Sequence, residues 1–195
     1  MALAAAGCAS KPPPHITIPT TTTTTTPPVQ PRTRSAPTTI QIPAINVDAP
    51  LVPLGLDKNR TVLVPDLNHV DQASWYCQDY QPSGNTQTCA GGGVIPGDVG
   101  PAAIYGHIDG HKRDGVFKHL PELHTGDPIT IRRTDGTTLV FTVYKVQQVH
   151  KANFNSAAVY GNVPRPELRL ITCTGKFIGG QLGYEDQGIV YAALT

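Results

Sequence analysis

The residue in this sequence best suited to nucleophilic chemistry is Cys173. It follows the β-type run Leu168–Thr172 and precedes Thr174-Gly175, so we expect it where a strand gives way to a loop. A thiol held at such a point by a rigid scaffold is well placed to attack an electrophilic carbon. A buried core cysteine fits the same sequence context, and this structural interpretation stays open here.

His107 is the histidine best placed to act with such a thiol. It follows the apolar run Ala102–Tyr105 and Gly106, a residue that allows close approach of neighbouring groups. A cysteine needs a basic or cationic neighbour to become a thiolate near neutral pH, and imidazole can return the proton to a leaving amine. Asp109 could orient a histidine or bind substrate, and capping of the following turn is equally consistent with its position.

The segments that must position these residues are short and β-like. Glycine and proline number 19 each in 195 residues, which disfavours a helical bundle. Apolar residues alternate with polar ones, or form short apolar runs, in several segments between turn signals: 40–47, 51–54, 102–105, 129–132, 139–144, 168–173 and 189–193. Thr134-Asp135-Gly136-Thr137 is typical of a hairpin turn. This pattern predicts an all-β sandwich or barrel with little helix.

The N-terminal region has a different composition. In residues 1–10, a run of small residues leads to Gly7-Cys8, as at the end of a bacterial lipoprotein signal. Cys8 is therefore a candidate for lipidation. The apolar stretch is short and lacks a basic region, so chance similarity is the alternative. Residues 11–38 are rich in Pro and Thr, and we expect a disordered linker there. The sequence contains no run of about 18 apolar residues that would predict a transmembrane helix.

Composition and cysteine spacing exclude several classes of function. The net charge of +1 gives no basic surface for nucleic acid. No Cys-x-x-Cys motif occurs and no histidine lies at ligand spacing from a cysteine, so no metal site is predicted. Cys77 and Cys89 enclose a polar loop, and in an exported protein we expect them to form a disulfide. Closing a loop of this length is worth about 3 kcal/mol in the chain-entropy model.

Six segments, taken together and in this order, carry a family resemblance. They are Ile40–Leu51, Gly106–Asp109, Phe117–Asp127, Asp135-Gly136, Leu168–Gly175 and Tyr184–Ala192. On these segments, residues 39–195 resemble the bacterial sortases, in particular the actinobacterial branch called class E or F. The resemblance implies one catalytic domain with a closed eight-stranded β-barrel and short helices. It also implies that His107 and Cys173 are catalytic residues at the ends of neighbouring strands.

The resemblance implies an activity and partners as well. It indicates a membrane-tethered, extracytoplasmic cysteine transpeptidase that cleaves a sorting signal resembling Leu-Pro-x-Thr-Gly through a thioacyl-enzyme. The acyl group would pass to an amine on a cell-wall precursor or another protein, or to water. We expect a monomer that needs no cofactor and is anchored at the outer face of the membrane through a lipid or an N-terminal segment.

The sequence departs from the family at one position of mechanistic weight. The resemblance implies an arginine on or just before the last strand that holds substrate and stabilises the oxyanion, but the region from Gly183 to Ile189 has none, and Glu185 stands near the expected place. Arg169 is a tentative substitute, because it shares a strand face with Cys173; a structural ion pair is the alternative. A second hypothesis is therefore a sortase-fold lipoprotein with weak or no catalytic activity that binds a peptide or the cell wall. A cysteine L,D-transpeptidase fits less well, because those enzymes place the histidine shortly before the cysteine.

Overall fold

A closed barrel of eight strands forms the body of the molecule. The computed structural model describes residues 33–78, 80, 92–180 and 183–195. The barrel strands are hydrogen-bonded in the order β1-β2-β3-β4-β9-β10-β8-β7. Their bounds are β1 Pro37–Ile42, β2 Val47–Leu54, β3 Ala73–Tyr76, β4 Gly100–Gly106, β7 Pro128–Arg133, β8 Thr138–His150, β9 Pro166–Gly179 and β10 Gly183–Leu194. The predicted all-β fold and eight-stranded barrel are confirmed.

Alternating side chains of these strands fill the barrel. Ile40 and Ile42 of β1, Ile129 and Ile131 of β7, and Leu168 of β9 are fully buried in one apolar cluster. Other fully buried members are Trp75, Ile104, Phe117, Leu120, Leu139, Phe141 and Leu170. Since a strand presents successive side chains to opposite faces, the residues between them point outward. On β9 the outward set includes Ile171 and Cys173.

Helical structure in the described part of the chain is short. The one α-helix there, α1, spans Ser156–Tyr160, and the Asn155 side chain caps it by accepting from the Ala158 N–H. Four 3-10 turns lie at Pro43–Ile45, Leu67–His69, Leu120–Glu122 and Lys151–Asn153. A two-stranded sheet, β5 (Asp109–Gly110) and β6 (Arg113–Asp114), follows β4. None of the helices in these residues is long and apolar enough to cross a membrane.

A second, smaller apolar cluster covers the outside of the barrel beside the end of β4. Val159 of α1 packs there with Ile171 of β9, and with Ile189 and Tyr191 of β10. Tyr105 of β4 packs against the same cluster. The segment between β8 and β9 is therefore fixed over the outer faces of β4, β9 and β10, which are the strands that lead to His107 and Cys173.

The described chain begins just before the first strand. Arg133 Nη1 donates to the carbonyl of Thr33 at 2.8 Å, and Ser35 Oγ lies 3.0 Å from Thr134 Oγ1. Strand β1 begins at Pro37, close to the predicted domain start at residue 39. The predicted lipoprotein-like segment at residues 1–10 with Cys8, most of the predicted linker 11–38, and Cys89 lie outside the described residues.

Candidate active site

Strands β4 and β9 bring His107 and Cys173 to the same end of the barrel. The two strands are parallel neighbours, and Tyr105 is paired with Ile171. His107 and Cys173 each follow two residues later, so they lie at the same level on adjacent chains. Only His107 follows a strand end: β9 continues past Cys173 to Gly179 because it stays paired with β10, so the prediction that Cys173 lies where its strand gives way to a loop is wrong. The Thr172 hydroxyl donates to the Gly106 carbonyl at 2.9 Å and ties the two strands together at this point. The structure thus brings together the two residues that the sequence predicts as a pair.

Gly106 is needed where it stands because the barrel interior leaves no room for a side chain. A Cβ at this position would lie 2.5 Å from Phe117 Cδ2 and 2.7 Å from Val116 Cγ1. Both distances are far inside van der Waals contact. Phe117 also donates its backbone N–H to the His107 carbonyl at 3.0 Å. The backbone of His107 is therefore held from both sides.

A cavity of about 360 Å³ opens over the thiol. Cys173 and His107 line it together with the segment Thr61–Pro65, Tyr105 and Tyr160. A second cavity of about 330 Å³ shares Val62, Tyr105 and Tyr160 with the first, so the two cavities lie side by side along the outer face of β4. The other residues that line the second cavity are mainly apolar or aromatic: Leu56, Arg60, Tyr76, Gly93, Val94, Pro101, Ala103 and Asn162.

Two tyrosines form a neutral wall between these cavities. Tyr105 Oη donates to Tyr160 Oη at 3.1 Å. Burial raises the pKa of Tyr105 well above its usual range, and the neighbouring Tyr160 raises it further. Burial likewise raises the pKa of Tyr160. Neither phenol carries charge near neutral pH, so this wall favours uncharged ligand groups.

The His107 ring is held by the segment that closes the cavity. Its Nε2 lies 2.8 Å from the carbonyl oxygen of Pro65. A carbonyl can only accept, which assigns a proton to Nε2 and leaves Nδ1 as the nitrogen that can take up or release one. The next residue, Asp66, is a nearby carboxylate. A hydrogen bond from the Asn68 backbone lowers the pKa of Asp66, with smaller contributions from His69 and His107.

Lys151 reaches the thiol from the other side. Its Nζ donates to Cys173 Sγ at 3.7 Å, from the 3-10 turn Lys151–Asn153 that follows β8. His150 caps this turn, because its side chain accepts from the Ala152 N–H at 3.2 Å. Cys173 is a free, partly exposed cysteine. The thiol therefore lies between a histidine on the β4 side and an ammonium group on the β10 and β8 side.

Gln187 occupies the position directly across from the thiol. In the antiparallel β9–β10 pair it is in register with Cys173, and in the β10–β8 pair with Val149. Gln187 lines the cavity, and its Oε1 is buried without a hydrogen-bond partner. Glu185, which the sequence places near the missing arginine, turns elsewhere and accepts from the Lys176 N–H at 3.2 Å. Among the described residues that line the cavity there is no carboxylate, and Glu185 is not one of them.

Arg169 does not line the cavity at the thiol. Its guanidinium is buried, and Nη1 lies 2.7 Å from Glu167 Oε2. Nε donates to the Val159 carbonyl at 3.0 Å, and the group stacks 4.6 Å from the centre of the Tyr191 ring. These contacts match a structural ion pair, which the sequence analysis gave as the alternative to a catalytic role for Arg169.

Asp109 is engaged by Tyr184. The Tyr184 hydroxyl donates to Asp109 Oδ2, and this bond is the first cause that raises the pKa of Tyr184 to about 12. Residues 109–114 form a separate cavity with Phe177 and Tyr184. Within the described ranges, no group of three or more His, Cys, Asp or Glu residues is arranged to hold a metal ion. Cys77 is fully buried, and its predicted disulfide with Cys89 stays a prediction.

The fold and site define a β-barrel protein with a histidine directly after one strand and a cysteine at the same level within the neighbouring strand, and comparison with known proteins assigns the family. The Sortase domain model matches residues 40–195, so the chain belongs to the sortase family. By family it is a sortase-type transpeptidase. Comparison with curated proteins gave no match. The solved structures described below are sortases of classes A and C, and the class E or F subtype stays a prediction.

Three solved structures illustrate the likeness. Sortase A from Corynebacterium diphtheriae is 20% identical with a TM-score of 0.55, over 83% of this chain and 61% of that one. Sortase C from Clostridium perfringens SM101 is 16% identical with a TM-score of 0.53, over 82% and 70%. Streptococcus agalactiae sortase C1 is 17% identical with a TM-score of 0.56, over 81% and 66%. At these identities the likeness concerns the fold.

Proposed function

We propose that this protein is an extracytoplasmic cysteine transpeptidase in which Cys173 is the nucleophile and His107 the general acid and base. The observation that carries the proposal is the placement of these two residues at one level of the adjacent parallel strands β4 and β9, lining one cavity, in a sortase barrel. Cys173 lies within β9 and His107 directly follows β4, and such fixed positions suit chemistry that requires a defined geometry.

The proposed reaction proceeds through a covalent intermediate. The Cys173 thiolate attacks the carbonyl carbon of the scissile peptide bond, a C–S bond forms, and the carbonyl π electrons move to oxygen. The tetrahedral intermediate then expels the amine, which takes a proton from His107, and a thioester remains. An incoming amine, or water, attacks the thioester, gives its proton to His107 and releases the thiolate. This division into two steps is what a cysteine with an acid–base partner permits.

The cavities beside the thiol support the proposed substrate class. Their mainly apolar and aromatic walls, with a neutral tyrosine pair in the middle and Arg60 also in the lining, suit an extended peptide with apolar side chains. We propose a sorting signal resembling Leu-Pro-x-Thr-Gly, cleaved at its Thr–Gly bond. Peptides with Ala in place of Leu or of Pro should form adducts at least about tenfold more slowly, since each loses apolar burial of about 1.5–3 kcal/mol.

A second candidate is a peptide-binding protein of sortase fold without turnover. The observation that favours it is Gln187, a neutral residue directly across from Cys173. Losing one oxyanion donor typically lowers the rate about 100- to 1000-fold. The two candidates differ in whether a peptide becomes covalently attached to Cys173, which intact-mass analysis of the full chain detects. Peptide binding without any adduct would favour the second candidate.

The cellular location is part of the proposal. We propose the outer face of the membrane, with attachment through Cys8 or another N-terminal segment, and a Cys77–Cys89 disulfide formed there. The small residues before Gly7-Cys8 and the paired cysteines support it. Peptide mapping without reductant tests the disulfide in protein isolated from the envelope. Two free thiols at positions 77 and 89, or protein found only in the cytosol, would contradict the location.

A further inference from the structure

Lys151 contacts the proposed nucleophile, and the proposed mechanism so far does not use this contact. A cation beside a thiol favours the thiolate. Lys151 Nζ lies 3.7 Å from Cys173 Sγ, within the contact distance for a hydrogen bond to sulfur. Lys151 is not among the residues predicted from the sequence as catalytic, which are His107, Cys173 and Arg169.

We propose that Lys151 is a catalytic residue of this enzyme, supplying the positive charge at the reacting atoms. The inference rests on the proposed cysteine transpeptidase activity and adds to it. Its ammonium group stabilises negative charge on Sγ before attack, and on the carbonyl oxygen when the tetrahedral intermediate forms. The charge passes from sulfur to oxygen in that step, so one cation beside the sulfur serves both.

The strand order explains how a residue from β8 arrives at a thiol on β9. Cys173, Gln187 and Val149 form one cross-strand row over β9, β10 and β8. The chain leaves β8 at His150 and turns at once into the 3-10 segment, which carries Lys151 over β10. The lysine side chain is long enough to span that one strand. His107 approaches from β4, on the opposite side of Cys173.

Among the residues that the structure describes, neither Gln187 nor Arg169 supplies this charge. Gln187, directly across from Cys173, offers only a neutral amide, and its buried Oε1 can accept but not donate a hydrogen bond. The guanidinium of Arg169 is engaged by Glu167 and two backbone carbonyls. Glu185 is an acid and accepts from the Lys176 backbone N–H at 3.2 Å.

The experiment measures positive charge at the sulfur directly. The full chain is alkylated at Cys173 with neutral iodoacetamide and with anionic iodoacetate at low ionic strength, and the ratio of the two rates is compared among variants. A nearby cation accelerates the anionic reagent selectively, whatever the fraction of thiolate. Lys151→Met should lower the iodoacetate-to-iodoacetamide ratio about tenfold. Lys151→Arg should keep it within about twofold of the wild-type value.

Lys176→Met is the matched control. It removes the same charge from an exposed position on the same strand as Cys173, and should leave the ratio within about twofold of wild type. Thermal unfolding of each variant verifies that it is folded. An unchanged ratio in folded Lys151→Met protein, or an equal fall in Lys176→Met, would overturn the proposal.

Peptide acylation separates this proposal from the function on which it rests. Where wild type forms a thioacyl adduct with a sorting-signal peptide, Lys151→Met should form it about 100-fold more slowly, and Lys151→Arg should recover most of the rate. Equal acylation by wild type and Lys151→Met would overturn the catalytic role alone. If wild type forms no adduct, the transpeptidase proposal fails, and the alkylation ratio still shows whether Lys151 charges the thiol.

Discussion

Replacing Arg169 by methionine should destabilise the barrel and leave the chemistry of Cys173 intact. Arg169 is 2% exposed. Its guanidinium contacts the Glu167 carboxylate, the carbonyls of Val159 and Leu168, and the Tyr191 ring. Methionine fills much of the same volume but offers no donors. Glu167 would keep its hydrogen bonds from Tyr144 and Arg165 and lose the partner that is buried with it.

The size of the effect follows from the burial of the pair. Removing one partner of a buried ion pair typically costs about 3–5 kcal/mol, because the other charge stays buried. For a chain of this length, each kcal/mol lowers Tm by about 2–4 °C. We therefore expect Tm to fall by about 6–20 °C in Arg169→Met. Arg165→Met is the control, because Arg165 bonds the same carboxylate from a side chain that is 56% exposed, and should cost about 1 kcal/mol or less.

The assay combines thermal unfolding with iodoacetamide alkylation of Cys173, measured at a temperature where both variants are folded. The expected result is a large fall in Tm for Arg169→Met only, and an alkylation rate near that of wild type for both. An unchanged Tm together with lost peptide acylation in Arg169→Met would refute this reasoning. Arg169 would then have the catalytic role that the sequence tentatively assigned to it.

The remaining predictions concern three further contacts. Thr172→Val removes the hydrogen bond to the Gly106 carbonyl and should lower the free energy of unfolding by about 1–3 kcal/mol, measured by urea titration. Burial raises the pKa of Glu167, but hydrogen bonds from its tyrosine and arginine partners outweigh this and lower it. The stability that Glu167 contributes is therefore present above its ordinary pKa of 4.5 and is lost as pH falls through its lower pKa in the folded protein. The difference in free energy of unfolding between wild type and Glu167→Gln should therefore disappear in acid, and a difference that stays constant with pH would contradict this. The pKa of Tyr184, about 12 in the folded chain, should return towards 10 in Asp109→Asn, seen as tyrosinate absorbance that Tyr184→Phe lacks.

Much of the fold could be predicted because its signals are local. Alternation in Ile129–Arg132 and Leu139–Tyr144 predicted the two strands that became β7 and β8, and the Asp135-Gly136 turn between them was also indicated. Strand lengths were less accessible. β8 continues to His150, past the end of its alternating apolar residues, and β10 begins at Gly183, before its apolar run starts. Pairing with neighbouring strands extends both strands through polar sequence. That pairing is not encoded in either segment alone.

The candidate site was accessible in part for the same reason. Cys173 and His107 each end an apolar run, which is a local signal, and the fold places them together. Lys151 and Gln187 carry no such signal. Their importance depends on the register of β9 with β10 and of β10 with β8, and on a turn that carries Lys151 over a strand. Arg169 shares the strand face of Cys173, as expected, but Glu167 and Val159 determine where its guanidinium goes.

Intact-mass analysis of the full chain with sorting-signal peptides tests the central claim most directly. Wild type is incubated with a mixture of Leu-Pro-x-Thr-Gly-like peptides, beside Cys173→Ala and His107→Gln. We predict a mass increase equal to the N-terminal peptide fragment in wild type, none in Cys173→Ala, and a strongly reduced amount in His107→Gln. Folded wild-type protein that alkylates at Cys173 but forms no peptide adduct would contradict the account, and would favour a binding protein built on the sortase barrel.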